Sequence, residues 1–145
     1  MDEFLPVVFS RPLIALATSV IFLMIGLALL PHALIRRRHF SRLRDGEQTY
    51  SRRASIRTEF LCAGIAGAMT VALVAFGLAS YRTAMSNLEA NVHKEYSPTE
   101  LDIKYWNGSW ATADITFADG TSIDGAQISV QDAYRPFIAE NTTTD

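Results

Sequence analysis

Residues 12–35 contain no Asp, Glu, Lys or Arg, and residues 60–81 contain none either. At a rise of 1.5 Å per residue the 24 positions of the first run reach roughly 36 Å as a helix, and the hydrocarbon core of a bilayer is about 30 Å thick. Two such runs predict a transmembrane helix at 12–35 and another at 59–81. A buried hairpin in a soluble protein is the competing reading, but nothing else in a 145-residue chain is large enough to cover both runs. Pro12 suits a first helical turn. Pro31 is expected to kink the first helix near its inner end or to close the span at Leu30, which leaves His32 near the interface. A cleaved signal peptide fits the first run poorly. Asp2 and Glu3 precede it, Arg11 is the only early cation, and a triple arginine follows it.

The net charge of −2 hides an uneven distribution. Arg36, Arg37, Arg38, Arg42, Arg44, Arg52, Arg53 and Arg57 all lie in the connecting segment 36–58, opposed within it only by Asp45 and Glu47, whereas ten of the fifteen acidic residues follow Tyr81. Short loops with this bias stay in the cytoplasm. The expectation is a multi-pass protein of the plasma membrane with both termini outside. It has an outer tail at 1–11, a basic cytoplasmic loop at 36–58, an extracytoplasmic domain at 82–138 and a disordered tail at 139–145. Ile35, Phe40 and Leu43 interrupt the arginines and suit an interfacial helix, and Asp45-Gly46 reads as a turn between two basic limbs. The arginines then either bind anionic lipid head groups or an acidic partner, or serve only to set topology. Nucleic acid is not an expected partner, because no aromatic platform accompanies the charge.

The second run is rich in small residues: Ala63, Gly64, Gly67, Ala68, Ala72, Ala75 and Ala79. Pairs of these four apart let helix backbones approach closely. The first run offers only Ala15 and Ser19 at that spacing. One partner helix cannot cover small residues on several faces, so a second face is expected to dock on another membrane protein or on a copy of this chain.

Beyond residue 81, Tyr81, Met85, Leu88, Val92 and Tyr96 make an apolar helical stripe that Ser97-Pro98 should end. Three strands follow, each alternating with period two. Leu101, Ile103 and Tyr105 oppose Asp102, Lys104 and Trp106; Ala111, Ala113, Ile115 and Phe117 form the second apolar face; Ile128 and Val130 form the third. Three-residue loops at Trp106-Asn107-Gly108 and Ala118-Asp119-Gly120 pair Ile103 with Ala111, Lys104 with Trp110 and Ile115 with Ile123. Ile123 and Ile128 differ in parity, so a bulge is expected at Asp124-Gly125. The predicted fold class is therefore a two-helix transmembrane hairpin followed by a helix and a three-stranded antiparallel meander. A piece this small should lean on the membrane helix or on a partner.

Little in the sequence points to catalysis. Cys62 is the single cysteine, so neither an intrachain disulfide nor a cysteine metal site is available. His93 sits off the apolar stripe. Asp102, Asp114, Asp119 and Asp124 do not have the EF-hand spacing. No serine has a nucleophile-elbow context. The reading is a non-enzyme with no cofactor and no small-molecule substrate. Lys104, Tyr105, Trp106 and Trp110 gather at one turn and form a candidate outer contact surface, with Lys104 over the Trp110 ring as a cation–π pair.

The stretch Asn87-Leu-Glu-Ala-Asn-Val-His-Lys-Glu-Tyr96, followed by Leu101-Asp-Ile-Lys-Tyr105, resembles small two-span membrane proteins of actinobacteria and their phages. In those a helix of the type Leu-x-x-Asn-(apolar)-x-x-Lys-Tyr leads into a short β segment; here Glu95 separates Lys94 from Tyr96. The resemblance implies a bacterial envelope setting and carries no catalytic residues. The function expected is that of a non-catalytic membrane accessory or interaction protein. Alternatives are a phage-type superinfection-exclusion or lysis-associated protein, and an oligomeric channel or carrier subunit.

Overall fold

Both uncharged runs fold as helix and extend past their apolar limits. In the computed structural model, which describes residues 4–42, 49–107 and 109–139, the order is α1 (Ser10–Phe40), α2 (Tyr50–Tyr96), β1 (Glu100–Trp106), β2 (Trp110–Thr116), β3 (Ser122–Gln131) and β4 (Arg135–Ala139). Two compact units result: Ile14–Gly77, and Met1–Leu13 together with Leu78–Asp145.

The first unit is a helical hairpin. α1 runs through Pro31 and continues to Phe40. Arg36, Arg37 and Arg38 therefore sit on its last turns rather than in a loop, where cations complement the negative end of the helix dipole. Arg52, Arg53 and Arg57 are likewise helical, since α2 begins at Tyr50. The basic loop expected at 36–58 is thus mostly two helix ends. Leu43, Arg44 and the Asp45-Gly46 turn lie outside the described residues.

Along α1 the buried and half-buried positions Ala15, Ser19, Phe22, Gly26, Leu29, Ala33, Arg36 and Phe40 recur at alternating spacings of four and three. Along α2 the same rhythm runs through Ile56, Glu59, Ala63, Ala66, Thr70 and Leu73. A 3.5-residue repeat keeps one seam of each helix facing the other in a left-handed pair. The seam is narrow because its residues are small. A Cβ placed on Gly26 would lie 3.8 Å from the Ala66 Cβ and 4.0 Å from the Ala63 carbonyl oxygen and the Gly67 nitrogen. Polar side chains on these helices close on their own backbone: Ser19 donates to the Leu16 carbonyl at 2.7 Å and Thr70 to the Ala66 carbonyl at 2.9 Å. The large residues point away from the seam. Ile14, Ile21, Met24, Leu27, Ile65 and Val71 are all exposed.

The second unit lays the C-terminal part of α2 on a four-stranded antiparallel sheet of order β1-β2-β3-β4. The expected stripe is the contact face: Leu88 and Val92 are fully buried, and Met85 and Tyr96 pack at the margin. Ala111, Ala113, Ile115, Ala126 and Ile128 form the sheet side of the core. Ser97, at φ +47°, ends the helix where expected.

The β2–β3 hairpin matches the sequence reading. Ile115 pairs with Ile123, and Phe117 and Thr121 close a three-residue loop whose Gly120 has φ +86°. Between Ile123 and Ala126 the extra residue falls at Asp124-Gly125, with Gly125 at φ +69°.

The β1–β2 hairpin does not match. Asn107 Oδ1 accepts from the backbone N–H groups of Ser109 and Trp110 at 2.9 and 3.0 Å, and the Asn107 N–H donates to the Trp110 carbonyl, so Asn107 faces Trp110 where the expected loop set Lys104. Trp106 then pairs with Ala111 and Tyr105 with Thr112, while Ile103 pairs with Ala113 instead of Ala111. Lys104 is the extra residue of a bulge, and this inverts the parity of the end of β1. Trp106 turns into the core and stacks on Phe9 with ring centroids 4.2 Å apart, whereas Tyr105, assigned to the apolar face, is 61% exposed.

The meander has four strands, not three. β4 pairs with β3 through Val130–Pro136 and Ile128–Ile138. Sequence patterning misses it for two physical reasons. Its turn uses Asp132 and Ala133 at φ +52° and +63° with no glycine, and Pro136 is admissible in a strand only because β4 lies at the sheet edge. Ala139 belongs to β4, and the remainder of the expected tail lies outside the described residues.

The N-terminal segment, expected to be a mere outer tail, is part of this core. Val7 and Phe9 are buried in it, and the Val7 N–H donates to the Ala133 carbonyl at 2.7 Å. Asn91, 1% exposed on α2, accepts from the Leu5 N–H and donates to the carbonyls of Leu5 and Tyr134.

Candidate functional site

Three surfaces carry the residues that the sequence singled out. The first is the basic end of the hairpin. Arg36 is neutralised by the Glu59 carboxylate, and His32 Nδ1 lies 3.5 Å from Glu59 Oε2. Sequence reading set only Asp45 and Glu47 against the arginines. Glu59 escapes notice there because it lies 23 residues from Arg36, and only the pairing of the helices brings the two together. Arg37 of α1 lies over the Phe60 ring of α2, and Arg53 of α2 over the Phe40 ring of α1, each 5.9 Å from the centroid. Arg37, Phe40, Arg53, Ile56, Arg57 and Phe60 line a crevice of about 410 Å³. Arg36, Arg52 and His39 line a smaller hollow, and Arg38 and Arg42 another. Arg44 lies outside the described residues.

The second surface is the small-residue helix. Ala63 is buried at the seam with α1, and the Gly67 backbone borders it. Gly64, Ala68, Ala72, Ala75 and Ala79 are exposed. At about 100° per residue these five form one stripe on the side of α2 opposite Ala63, Ala66 and Thr70. The candidate packing set therefore divides into a used face and a bare one. Gly26 and Ala33 of α1 also serve the seam. They are missed by a search for small residues four apart, because with Ser19 they stand seven apart on the 3.5 repeat.

The third surface is the outer face of the sheet. Trp110, Ser129 and Phe137 stand in register across β2, β3 and β4, with Tyr105 exposed near them on β1. Of the four candidate contact residues, Tyr105 and Trp110 face outward and Trp106 does not, for the bulge reason given above. Lys104 does not lie over Trp110. Its ammonium binds the Asp114 carboxylate across the strand pair. That bond, with the Gly125 N–H donating to the other oxygen of Asp114 at 2.9 Å, holds the Asp114 carboxyl below the usual carboxylate range and raises Lys104. The Thr121 N–H lowers Asp119 in the adjacent turn. Phe137 joins this face from the strand the sequence did not show. Arg135 beside it reaches back to Glu95 of α2, its Nε 3.0 Å from the carboxylate.

Fold and surfaces together define a chain with two helices long and apolar enough to cross a membrane, carrying a four-stranded antiparallel sheet packed on the end of the second. No family model, curated protein or solved structure matches it.

Proposed function

We propose that this protein is a non-catalytic integral membrane accessory protein. It docks on a membrane partner through α2 and presents its sheet domain outside the cell. One observation carries the reading. Only 11% of the most apolar window of α1 and 17% of that of α2 is buried, so their large aliphatic residues need an apolar solvent. The arginine-rich helix ends belong in the cytoplasm, which puts both chain termini outside. The bare stripe from Gly64 to Ala79 is the face for a partner helix: small residues permit close backbone approach, and lipid tails fill such a surface poorly.

A protease-accessible tag placed after Asp145 tests the topology. Cleavage is expected in intact cells stripped of any outer membrane, and protection overturns the orientation. Photocrosslinkers at Ala68 and Ala75 test the docking face. Adducts there, with none from Leu27 on the lipid side of α1, are the expected outcome.

A further inference from the structure

We infer that the crevice between Arg37, Arg53 and Arg57 is a built site for the phosphate of an anionic phospholipid head group. The inference rests on the membrane reading above and deepens it by giving one part of the basic belt a ligand. Among the described residues the arginines of the belt are not equivalent. Arg36 is consumed by Glu59, while no carboxylate of the described residues pairs with Arg37, Arg53 or Arg57. Two of these three are held in place by a crossed arrangement, each guanidinium over the phenylalanine ring of the opposite helix. A cation–π contact uses none of a guanidinium's N–H donors, so they remain for bidentate binding of a phosphate. It also removes part of the ordering cost that a flexible surface arginine meets on binding.

Among the described residues no acidic side chain lines the crevice. The first turn of α2 contains no acidic residue, yet Arg52 and Arg53 follow directly, so cations crowd the positive end of a helix dipole. An anion in the crevice relieves that arrangement. The walls are amphipathic: Phe40, Ile56 and Phe60 supply apolar surface beside the three cations. A lipid head group with its attached glycerol and chains matches both; a free inorganic phosphate matches only the charge. The crevice also sits where each uncharged run gives way to arginines, which is head-group depth in the proposed orientation.

The test uses the full chain, reconstituted in vesicles of phosphatidylcholine containing a minor fraction of phosphatidylglycerol. After extraction into a neutral detergent, native mass spectrometry counts the lipids that stay bound. The expected result is selective retention of phosphatidylglycerol. Retention falls roughly tenfold in R37Q/R53Q. It also falls in R37K/R53K, which keeps the charge and therefore the topology signal but loses the planar guanidinium fork. Wild-type retention by the lysine variant overturns the site in favour of diffuse attraction. Displacement of the lipid by millimolar inorganic phosphate makes it a free-phosphate site and overturns the lipid assignment. A protein that resists carbonate extraction yet shows no lipid preference overturns this inference alone, whereas one released by carbonate overturns the membrane reading beneath it.

Discussion

Asn91 shows how much one side chain holds together. Its amide joins Leu5, 86 residues away, to the β3–β4 turn through the Tyr134 carbonyl. Asn91→Ala leaves those buried backbone groups without partners and should cost about 2–4 kcal/mol. A lower melting temperature, followed by tryptophan fluorescence of the detergent-solubilised protein, checks this. Ala133 makes the opposite case. It occupies the left-handed region at φ +63° in the β3–β4 turn, which the Tyr134 N–H closes on the Gln131 carbonyl, and its own carbonyl accepts from the Val7 N–H. The conformation costs a non-glycine residue roughly 1–2 kcal/mol, partly offset in a glycine variant by the freer unfolded chain. Ala133→Gly should therefore raise the melting temperature slightly, and a decrease would contradict the strain assignment. Asp114 and Asp119 set an acid limit. Their folded-state values are depressed, so their stabilising contribution is present above the unfolded carboxyl value of about 3.9 and is lost as pH falls through the folded values. Melts recorded from neutral pH downward should weaken in that window, and Asp114→Asn should flatten the response. Lys104 titrates in the other direction. Its contribution is complete below its ordinary value and disappears only as pH rises past the raised one.

At the scale of elements, the helical seam and the β1 bulge decide which residues face what. Gly26 sits at ordinary contact distance from Ala66, so Gly26→Ala should be accommodated. Gly26→Leu has no space to enter and should separate the helices at a cost of about 1–3 kcal/mol. Thermal stability of both variants in one detergent makes the comparison, and equal tolerance of leucine and alanine would refute the close seam. The periodicities were legible here where they were regular. The stripe Leu88–Val92, the loop ending at Gly120 and the bulge at Gly125 all follow from spacing and glycine placement. The bulge at Lys104 was not legible, because no glycine marks it and the Asn107 turn that demands it depends on side-chain hydrogen bonds.

For the whole molecule, the N-terminal segment is the unexpected component. Phe9 stacks on Trp106 inside the core, and Val7 is buried beside it, so the sheet domain is completed by residues that precede α1. Phe9→Ala should cost about 3–4 kcal/mol. A chain lacking residues 2–9 should lose the cooperative tryptophan transition while keeping its helices by far-ultraviolet circular dichroism. A sharp melt of that truncated chain would show that the tail is dispensable. The dependence has a size argument behind it. A helix on a small sheet buries too little apolar surface to offset the conformational entropy of ordering it, and added apolar residues narrow that gap.

The sequence by itself determined the two apolar helices, the basic segment between them, the apolar stripe on the C-terminal part of α2 and the strands whose alternation is unbroken. These are properties of local spacing: charge-free length, a period of 3.6 or 2, and glycine where the backbone must turn left-handed. Tertiary structure alone decided the rest, namely that Glu59 neutralises Arg36, that Trp106 faces inward, that β4 exists, and that Val7 and Phe9 belong to the core. Each depends on groups far apart in the chain meeting at hydrogen-bond or van der Waals distance. A side chain's partner and a strained turn's support are set by packing, and no single stretch of sequence contains both sides of those contacts.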